Sequence, residues 1–308
     1  MNTEQYVFGF KVGVSVKKAP STLAELVAPL SEEAFMALLR ERKLTFLRGV
    51  GADRYSSLMN WTLLVQMIAD GQHPPSLAEF RLIKEGQIPP PDRWLKKKPT
   101  GEGNMVDVPR FMAFMEHGFS LSVTRINDYA PHLKILTDSI RSTLREQIKV
   151  GAIVTTGTGG AFRLHYDPED LIILQVEGRK RWKLFGPPVI NPIVGAPPPA
   201  APPEDTLIFD EILEPGDFLF LPAGNWHRCE NESARSLHLG IFFQPPNGLD
   251  VIKSITSQLL SDAEMRLPLT RLDDASEISA FEADIKSRAI ERISKLDLSE
   301  FFSNFERQ

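Results

Sequence analysis

Cysteine is nearly absent from this sequence. The 308 residues include a single cysteine, Cys229, which cannot form a disulfide within the chain, so nothing indicates an oxidising compartment. No apolar run approaches the length of a membrane-spanning helix, and residues 1–16 lack the basic and apolar segments of a signal peptide. We therefore predict a cytoplasmic protein that acts away from membranes.

Concentrated positive charge is also missing. The chain carries 35 Lys and Arg against 40 Asp and Glu, a formal net charge of −5. Its basic runs, Lys96–Lys98 and Arg179–Lys183, are short, whereas proteins that bind nucleic acids usually concentrate basic residues on one surface. We expect no nucleic-acid partner.

Motifs of nucleophilic enzymes are not found: there is no Ser-His-Asp arrangement and no Cys-x-x-Cys motif. Cys229 lies two residues from His227 in a predicted strand, so alternation places both side chains on one face. No His and Asn partners for a catalytic thiol surround it. This favours a small packing residue over a nucleophile.

The first part of the chain has helical patterns. Capping motifs and apolar periodicity predict helices near residues 22–25, 31–39, 55–69, 108–117 and 130–150. Residues 44–48 form one short predicted strand, and the polar, proline-rich residues 84–105 predict a loop. We take residues 1–118 as an N-terminal helical region whose early strand contributes to the core.

The pattern changes to short strands between Gly151 and Phe243. Apolar or alternating runs broken by Gly and Pro predict strands at residues 152–156, 162–166, 171–176, 180–185, 218–221 and 236–243. Many short strands with turns between them favour a β-sandwich or barrel over a parallel sheet. Residues 187–203 contain eight prolines and predict a stiff surface connection. We assign the β domain to residues 119–246.

Residues 247–308 return to helical periodicity. Residues 251–260 and 278–296 carry apolar faces. On the second helix, one stripe comprises Ile278, Phe281, Ile285, Ala289 and Ile293. Such a stripe either packs on the barrel or pairs with another subunit.

Three residues have the pattern of a metal site. In a strand, His165 and Asp167 point to the same face, because side chains alternate. His227 follows a turn, a strand and a second turn, which begin at Glu214-Pro-Gly-Asp. Two imidazoles and one carboxylate leave three adjacent coordination positions open, as in non-haem iron(II) oxygenases. An isolated His-x-Asp is common by chance and usually a polar pair at a strand edge, so the interpretation depends on the whole arrangement.

A lysine occupies the expected place for an anion-binding residue. Lys180 begins the strand that returns after the turn at Glu177-Gly178 and shares a face with Trp182. Arg179, Arg181 and Lys183 share the other face, which we interpret as solvated. An inward Lys180 would be a buried ammonium that is costly without a carboxylate partner. The distal carboxylate of 2-oxoglutarate is a natural one.

These motifs resemble a known family. The run from His165 through Phe185, the segment from Glu214 through His227, and Ser236-Leu-His-Leu-Gly are similar to the core of JmjC and cupin-type oxygenases, closest to the bacterial ribosomal-oxygenase branch. The resemblance implies a mainly β fold with flanking helices: a double-stranded β-helix core, N-terminal helices and a C-terminal helical segment that forms a homodimer.

The resemblance also implies a chemistry. It implies Fe(II) bound by His165, Asp167 and His227, and 2-oxoglutarate gripped at its C5 carboxylate by Lys180. Family enzymes hydroxylate an unactivated C–H of a protein or peptide side chain with O₂ and release succinate and CO₂. Demethylation and a small-molecule substrate stay open.

The sequence departs from the family on the strand before His165. Many relatives carry Asn and Tyr near the positions of Gly151 and Ile153 to hold the co-substrate. We expect the Thr155 hydroxyl to substitute for them, although an ordinary β-branched strand residue is the alternative. His238 either lines the cavity as a co-substrate contact or is a hydrogen-bonded core histidine.

Two other functions fit parts of the pattern. A metal cupin that works without 2-oxoglutarate, as a dioxygenase or isomerase, would not need Lys180 in its pocket. A catalytically silent peptide-binding module would not need the intact ligand set.

Overall fold

The computed structural model describes residues 5–7, 10–12, 19–49, 51–71, 73, 76–266, 268 and 274–305. Contacts divide the chain into two compact units, residues 1–144 with 148–244, and residues 145–147 with 245–308. A small hairpin of β1 (Gln5–Val7) and β2 (Phe10–Val12) lies in the first unit.

The described residues of the first unit form five α-helices. They are α1 (Leu23–Val27), α2 (Glu32–Glu41), α3 (Trp61–Ala69), α4 (Val108–Glu116) and α5 (Pro131–Leu144). The helix predicted from residue 55 begins only at Trp61, because the Asn60 side chain accepts a hydrogen bond from the Leu63 amide at 2.9 Å and so caps the helix. Phe35 of α2 packs edge-on against Phe220 of the main sheet at 5.5 Å between ring centroids.

Two sequence predictions in this region were wrong. The predicted loop at residues 84–105 contains a hairpin of β5 (Leu95–Lys97) and β6 (Asn104–Val106). The helix predicted for residues 130–150 ends at Leu144, and a strand begins at Gln147. Arg145 adopts a φ of 58° between them, and this left-handed conformation cannot continue a right-handed helix.

The core of the fold is a seven-stranded sheet. Its strands in spatial order are β3 (Thr45–Leu47), β12 (Phe218–Leu221), β9 (Asp170–Glu177), β14 (Arg235–Gln244), β8 (Gln147–Thr156), β7 (Ser120–Val123) and β4 (Phe80–Ile83). The early strand β3, which the sequence predicted at residues 44–48, pairs with β12. The four-residue strands β4 and β7 were not predicted, because so few residues show no clear period.

A second sheet faces the first. It consists of β11 (Leu207–Leu213), β10 (Lys180–Phe185) and β13 (Trp226–Asn231). Apolar residues of both sheets share one buried cluster that includes Ile173 and Leu219 from the large sheet and Trp182 and Leu184 from the small one. The mainly β fold with flanking helices is therefore confirmed, and its two sheets enclose the candidate site.

The second unit contains the C-terminal helices α6 (Gly248–Leu259), α7 (Ala275–Ser294) and α8 (Leu298–Phe305). Asn247 and Asp250 form a capping box at the start of α6. No residue of α7 is buried. Among the described residues, no helix is both long and apolar enough to span a membrane.

Candidate active site

Two histidines face each other across the gap between two chain segments. His165 and His227 form an isolated antiparallel bridge, in which the His165 amide bonds the His227 carbonyl at 3.1 Å and the reverse bond measures 2.7 Å. The strand predicted at residues 162–166 is therefore wrong, since only this single bridge forms there. Exchange of both bonds still places the two side chains directly opposite each other.

A turn holds Asp167 beside this pair. The Gly224 amide donates to the Asp167 carbonyl at 2.8 Å. Gly224 has a φ of +84°, and a Cβ there would approach the Val189 carbonyl oxygen to 2.0 Å. Only glycine fits this position. The turn before His227 thus fixes Asp167 as well.

The side chains of His165, Asp167 and His227 converge. One ligand atom from each lies within 4.8 Å of the other two, and His227 Nε2 is 3.7 Å from Asp167 Oδ2. The two imidazole centroids are 4.3 Å apart. Two nitrogens and one oxygen thus surround one point.

The tautomers of both histidines suit a metal. Nδ1 of His165 lies 2.8 Å from the Arg163 carbonyl, and Nδ1 of His227 lies 3.0 Å from the Asn225 carbonyl. A carbonyl only accepts hydrogen bonds, so each Nδ1 carries a proton, and in the neutral form of either ring the lone pair is on Nε2. Backbone carbonyls orient metal-binding histidines in this way in many proteins.

His227 is neutral at physiological pH. Burial, and to a lesser extent the charge of His165, lowers the pKa of His227 to about 4. The ring needs no deprotonation before it binds a cation. The donor set therefore fits a divalent transition metal, and two imidazoles with one carboxylate are typical of mononuclear iron(II) sites.

Lys180 is buried in the same interior. Its side chain is 1% exposed, and its ammonium donates to Thr155 Oγ1 at 2.9 Å and lies 3.4 Å from His238 Nδ1. Ser120 Oγ donates to the same Thr155 hydroxyl at 3.2 Å. Lys180 thus contacts both Thr155 and His238, and the three residues lie on three different strands.

The Lys180 ammonium has no anionic partner among the described residues. Burial lowers the pKa of Lys180 from 10.5 to about 8. His238 is neutral, because burial and then the charge of Lys180 hold its pKa well below 6.5. A buried cation without a carboxylate is a costly arrangement that an anionic ligand would relieve.

A cavity of about 590 Å³ joins these groups. Its lining includes the three converging side chains, Lys180, His238 and Trp182. The Trp182 ring stacks on His227 with 5.5 Å between centroids, and its buried indole Nε1 has no hydrogen-bond partner among the described residues. The cavity therefore offers unused donors beside the candidate metal ligands.

Residues 128–251 match the JmjC domain family. This match spans the seven strands from β8 to β14, and with them the three converging side chains and Lys180. This chain contains a JmjC domain. The family predicted from the sequence is therefore confirmed.

Two curated proteins are similar to parts of this chain. The chain is 25% identical over 255 residues to the bifunctional lysine-specific demethylase and histidyl-hydroxylase NO66 of Drosophila grimshawi. This alignment covers 81% of this chain and 34% of the relative. Ribosomal oxygenase 2 of Rattus norvegicus is 45% identical over 82 residues, 25% of this chain and 17% of the relative. The chain thus spans about a third or less of the length of these curated relatives.

A solved structure has the same fold. YcfD, a ribosomal oxygenase from Escherichia coli in complex with cobalt and 2-oxoglutarate, superposes with a TM-score of 0.51 at 17% identity. The alignment covers 89% of this chain and 71% of that one. At this identity, the likeness establishes the fold of the JmjC domain and its surroundings.

Neighbouring groups pack closely around Gly151 in the JmjC domain. A Cβ at Gly151 would lie 3.2 Å from the Phe242 ring and 3.3 Å from the Val123 carbonyl oxygen. A Cβ at Gly240 would lie 3.1 Å from the same ring. Phe242 thus packs over two glycines and takes the space that a larger side chain at Gly151 would need.

The single thiol is not a nucleophile at neutral pH. Cys229 lines the cavity, and burial raises the pKa of Cys229 to about 12 although the charge of Lys180 acts in the opposite direction. The side chain therefore stays protonated.

The sequence did not predict two of the cationic side chains in the cavity wall. Arg81 lies on β4, one of the strands that was not predicted. Lys149 lies in a stretch that was predicted as helix, and its ammonium bonds Glu169 at 2.6 Å. The Phe-Arg-Leu-Ile sequence of β4 offered one signal, an arginine between apolar residues.

Proposed function

We propose that this JmjC domain is an Fe(II)- and 2-oxoglutarate-dependent oxygenase that hydroxylates a C–H bond of a protein or peptide side chain. The observation that carries the proposal is the pairing of two features in one cavity. Three side chains that could bind a metal converge at one point, and on a neighbouring strand lies a buried ammonium that has no carboxylate partner among the described residues. A metal cupin without an anionic co-substrate has no need for the second feature.

His165, Asp167 and His227 would hold the iron through their Nε2 atoms and a carboxylate oxygen. When bound, iron and 2-oxoglutarate together activate O₂ and oxidise the substrate C–H, with succinate and CO₂ as co-products. The chain itself orients the ligands: carbonyl groups fix both imidazoles, and the Gly224 amide fixes the backbone at Asp167. This keeps the donor atoms in place before the metal arrives.

Lys180 would bind the C5 carboxylate of 2-oxoglutarate. Thr155 and His238 hold its ammonium from two other strands, and neither brings a negative charge. The co-substrate carboxylate would therefore supply the anionic partner that the Lys180 ammonium does not find among the described residues. Ion pairs of this kind, with additional hydrogen bonds, are among the stronger polar contacts in proteins.

The names of the relatives support a protein or peptide substrate. NO66 is described as a histidyl-hydroxylase and lysine-specific demethylase, and the rat relative as a ribosomal oxygenase. Hydroxylation and N-demethylation begin with oxidation of a C–H bond, so the same site serves either outcome. We propose hydroxylation as the main reaction.

The affinity for 2-oxoglutarate should depend on pH through Lys180. Only the ammonium form binds the carboxylate, and with a pKa of about 8 its population falls roughly tenfold between about pH 7 and about pH 9. We expect the Kd of 2-oxoglutarate for the Co(II)-loaded protein to rise by that factor. The groups that face the ammonium, Thr155, His238 and Cys229, do not gain charge over this range.

Isothermal titration calorimetry across a pH series would check this expectation. The variant Lys180→Met serves as the control, because its residual affinity should not change in this pH range. A wild-type Kd that stays flat from about pH 7 to about pH 9 would argue against an ion pair with Lys180.

We also propose that two copies pair through α7. Its predicted stripe includes Ile278 and Ile293, which are 52% and 53% exposed, and no residue of this helix is buried. The double variant Ile278→Lys/Ile293→Lys should halve the mass measured by sedimentation equilibrium. Ser287→Lys, on the opposite face, should leave it unchanged. A wild-type mass of one chain at all concentrations would exclude the dimer.

The three-part division at residues 118 and 246 stays a prediction. So do the cytoplasmic location and the absence of nucleic-acid and membrane partners.

A further inference from the structure

One arginine in the cavity wall has no hydrogen-bond or ion-pair partner among the residues that the structure describes. Arg81 is the second residue of β4, and its guanidinium carbon lies 5.6 Å from the centroid of the Phe162 ring. No hydrogen bond or ion pair joins it to any residue that the structure describes, and its Nε is buried. A buried donor in this state costs free energy unless a ligand supplies an acceptor.

The other cations that line the cavity are accounted for. Lys149 forms an ion pair with Glu169, and Lys180 is assigned to the co-substrate. Within the described lining, Arg81 is therefore the cation left for a substrate. The lining nearby is largely apolar and includes Ile83, Ile88 and Phe162.

The Phe162 ring lies close to both Arg81 and His165, so its two distances limit how far Arg81 is from the candidate metal site. The Phe162 centroid is 5.4 Å from the His165 imidazole centroid and 5.6 Å from the Arg81 guanidinium. The guanidinium is thus at most about 11 Å from the His165 ring. This distance corresponds to roughly three residues of extended chain.

Sheet register separates Arg81 from the co-substrate end. Arg81 pairs with Ser122 of β7, and Ser122 pairs with Ile153 of β8. Thr155, which contacts Lys180, is two residues further along β8, about 7 Å away by strand geometry. Arg81 and Lys180 therefore serve different parts of the cavity.

We propose that Arg81 binds a substrate carboxylate and makes the domain select peptides with Asp or Glu within a few residues of the modified side chain. The inference rests on the proposed oxygenase function and adds its substrate class. A guanidinium binds a carboxylate through two parallel hydrogen bonds, and the cation–π contact with Phe162 holds the Arg81 guanidinium on the side of the cavity that adjoins His165.

The test is selection from a degenerate pool of short peptides. The full chain, loaded with Co(II) and saturated with 2-oxoglutarate, is immobilised, and the retained peptides are sequenced by mass spectrometry. We expect Asp and Glu to be enriched at least about fivefold over the input, since hydrogen bonds to charged groups discriminate at that level or above. Arg81→Gln should remove this enrichment, and Arg81→Glu should shift it to Lys and Arg.

Arg40→Gln is the matched control, because Arg40 is exposed on α2 and should leave the selection unchanged. Circular dichroism verifies that each variant is folded. Acidic enrichment that survives Arg81→Glu, or a wild-type pool without it, would overturn the inference. Titration of 2-oxoglutarate into the same Co(II) protein separates the two proposals: no binding contradicts the oxygenase, whereas binding without acidic selection contradicts only the role of Arg81.

Discussion

His227→Ala is expected to lower Fe(II) affinity by about a hundredfold or more, because loss of groups that merely orient metal ligands already costs tenfold to a hundredfold. His227 is 3% exposed and already presents a neutral Nε2. Its removal leaves one imidazole and one carboxylate, so the protein would supply two ligands to the iron instead of three. Competition with a chromophoric chelator measures the affinity, and succinate release measures turnover.

His117→Ala is the control for this variant. His117 lies at the end of α4, where its Nδ1 contacts the Ala113 carbonyl, and it should leave iron affinity unchanged. An iron affinity of His227→Ala within a few-fold of wild type would show that the metal binds elsewhere.

Lys180→Met is expected to stabilise the protein without ligands but to weaken its binding of 2-oxoglutarate. Without ligands, the variant should be more stable than wild type near neutral pH, since an unpaired buried ammonium is replaced by an apolar chain of similar length. With metal present, its Kd for 2-oxoglutarate should rise roughly thirtyfold or more, because truncation of a buried charge pair is costly. If Lys180 served only to stabilise the fold, its replacement would not raise stability and the Kd of 2-oxoglutarate together.

The stability difference should itself depend on pH. The pKa of Lys180 is about 8 in the folded protein against an ordinary value of 10.5. Below about pH 8 the folded state holds an unfavourable proton, a cost of about 3 kcal/mol. Between about pH 8 and 10.5 only the unfolded state keeps that proton, so wild-type stability rises with pH. The advantage of the variant should shrink over this window in urea unfolding experiments.

Lys149→Met provides the matched control. Lys149 neutralises Glu169, whose side chain is buried, so the same substitution should destabilise the protein by leaving that carboxylate unpaired. If Lys180→Met and Lys149→Met change the free energy of unfolding in the same direction, the view of Lys180 as an unpaired cation is wrong.

Much of the site could be predicted from short-range pattern. The strand from Lys180 to Phe185 and the strand from Phe218 to Leu221 have the predicted bounds, because alternation and flanking turns define them locally. Strand alternation also indicated that Lys180 and Trp182 share a face, and both are buried.

Other features depend on contacts between distant segments. The position of His165 depends on a single β-bridge to His227, which lies 62 residues later in the chain. His165 is not part of a strand. Arg81 enters the cavity because β4 pairs with β7, and neither strand is long enough to show a period. The exclusion of a larger side chain at Gly151 follows from Phe242, which approaches it from another strand. No local pattern carries this information.

The most direct test of the account is anaerobic addition of Fe(II) and 2-oxoglutarate to the metal-free protein, followed by O₂. We predict a visible charge-transfer band that requires both additions, and slow succinate release once O₂ is admitted. Iron binding without a band or succinate would contradict the proposed co-substrate and favour a 2-oxoglutarate-independent cupin. Absence of iron binding would contradict the metal site at His165, Asp167 and His227 itself.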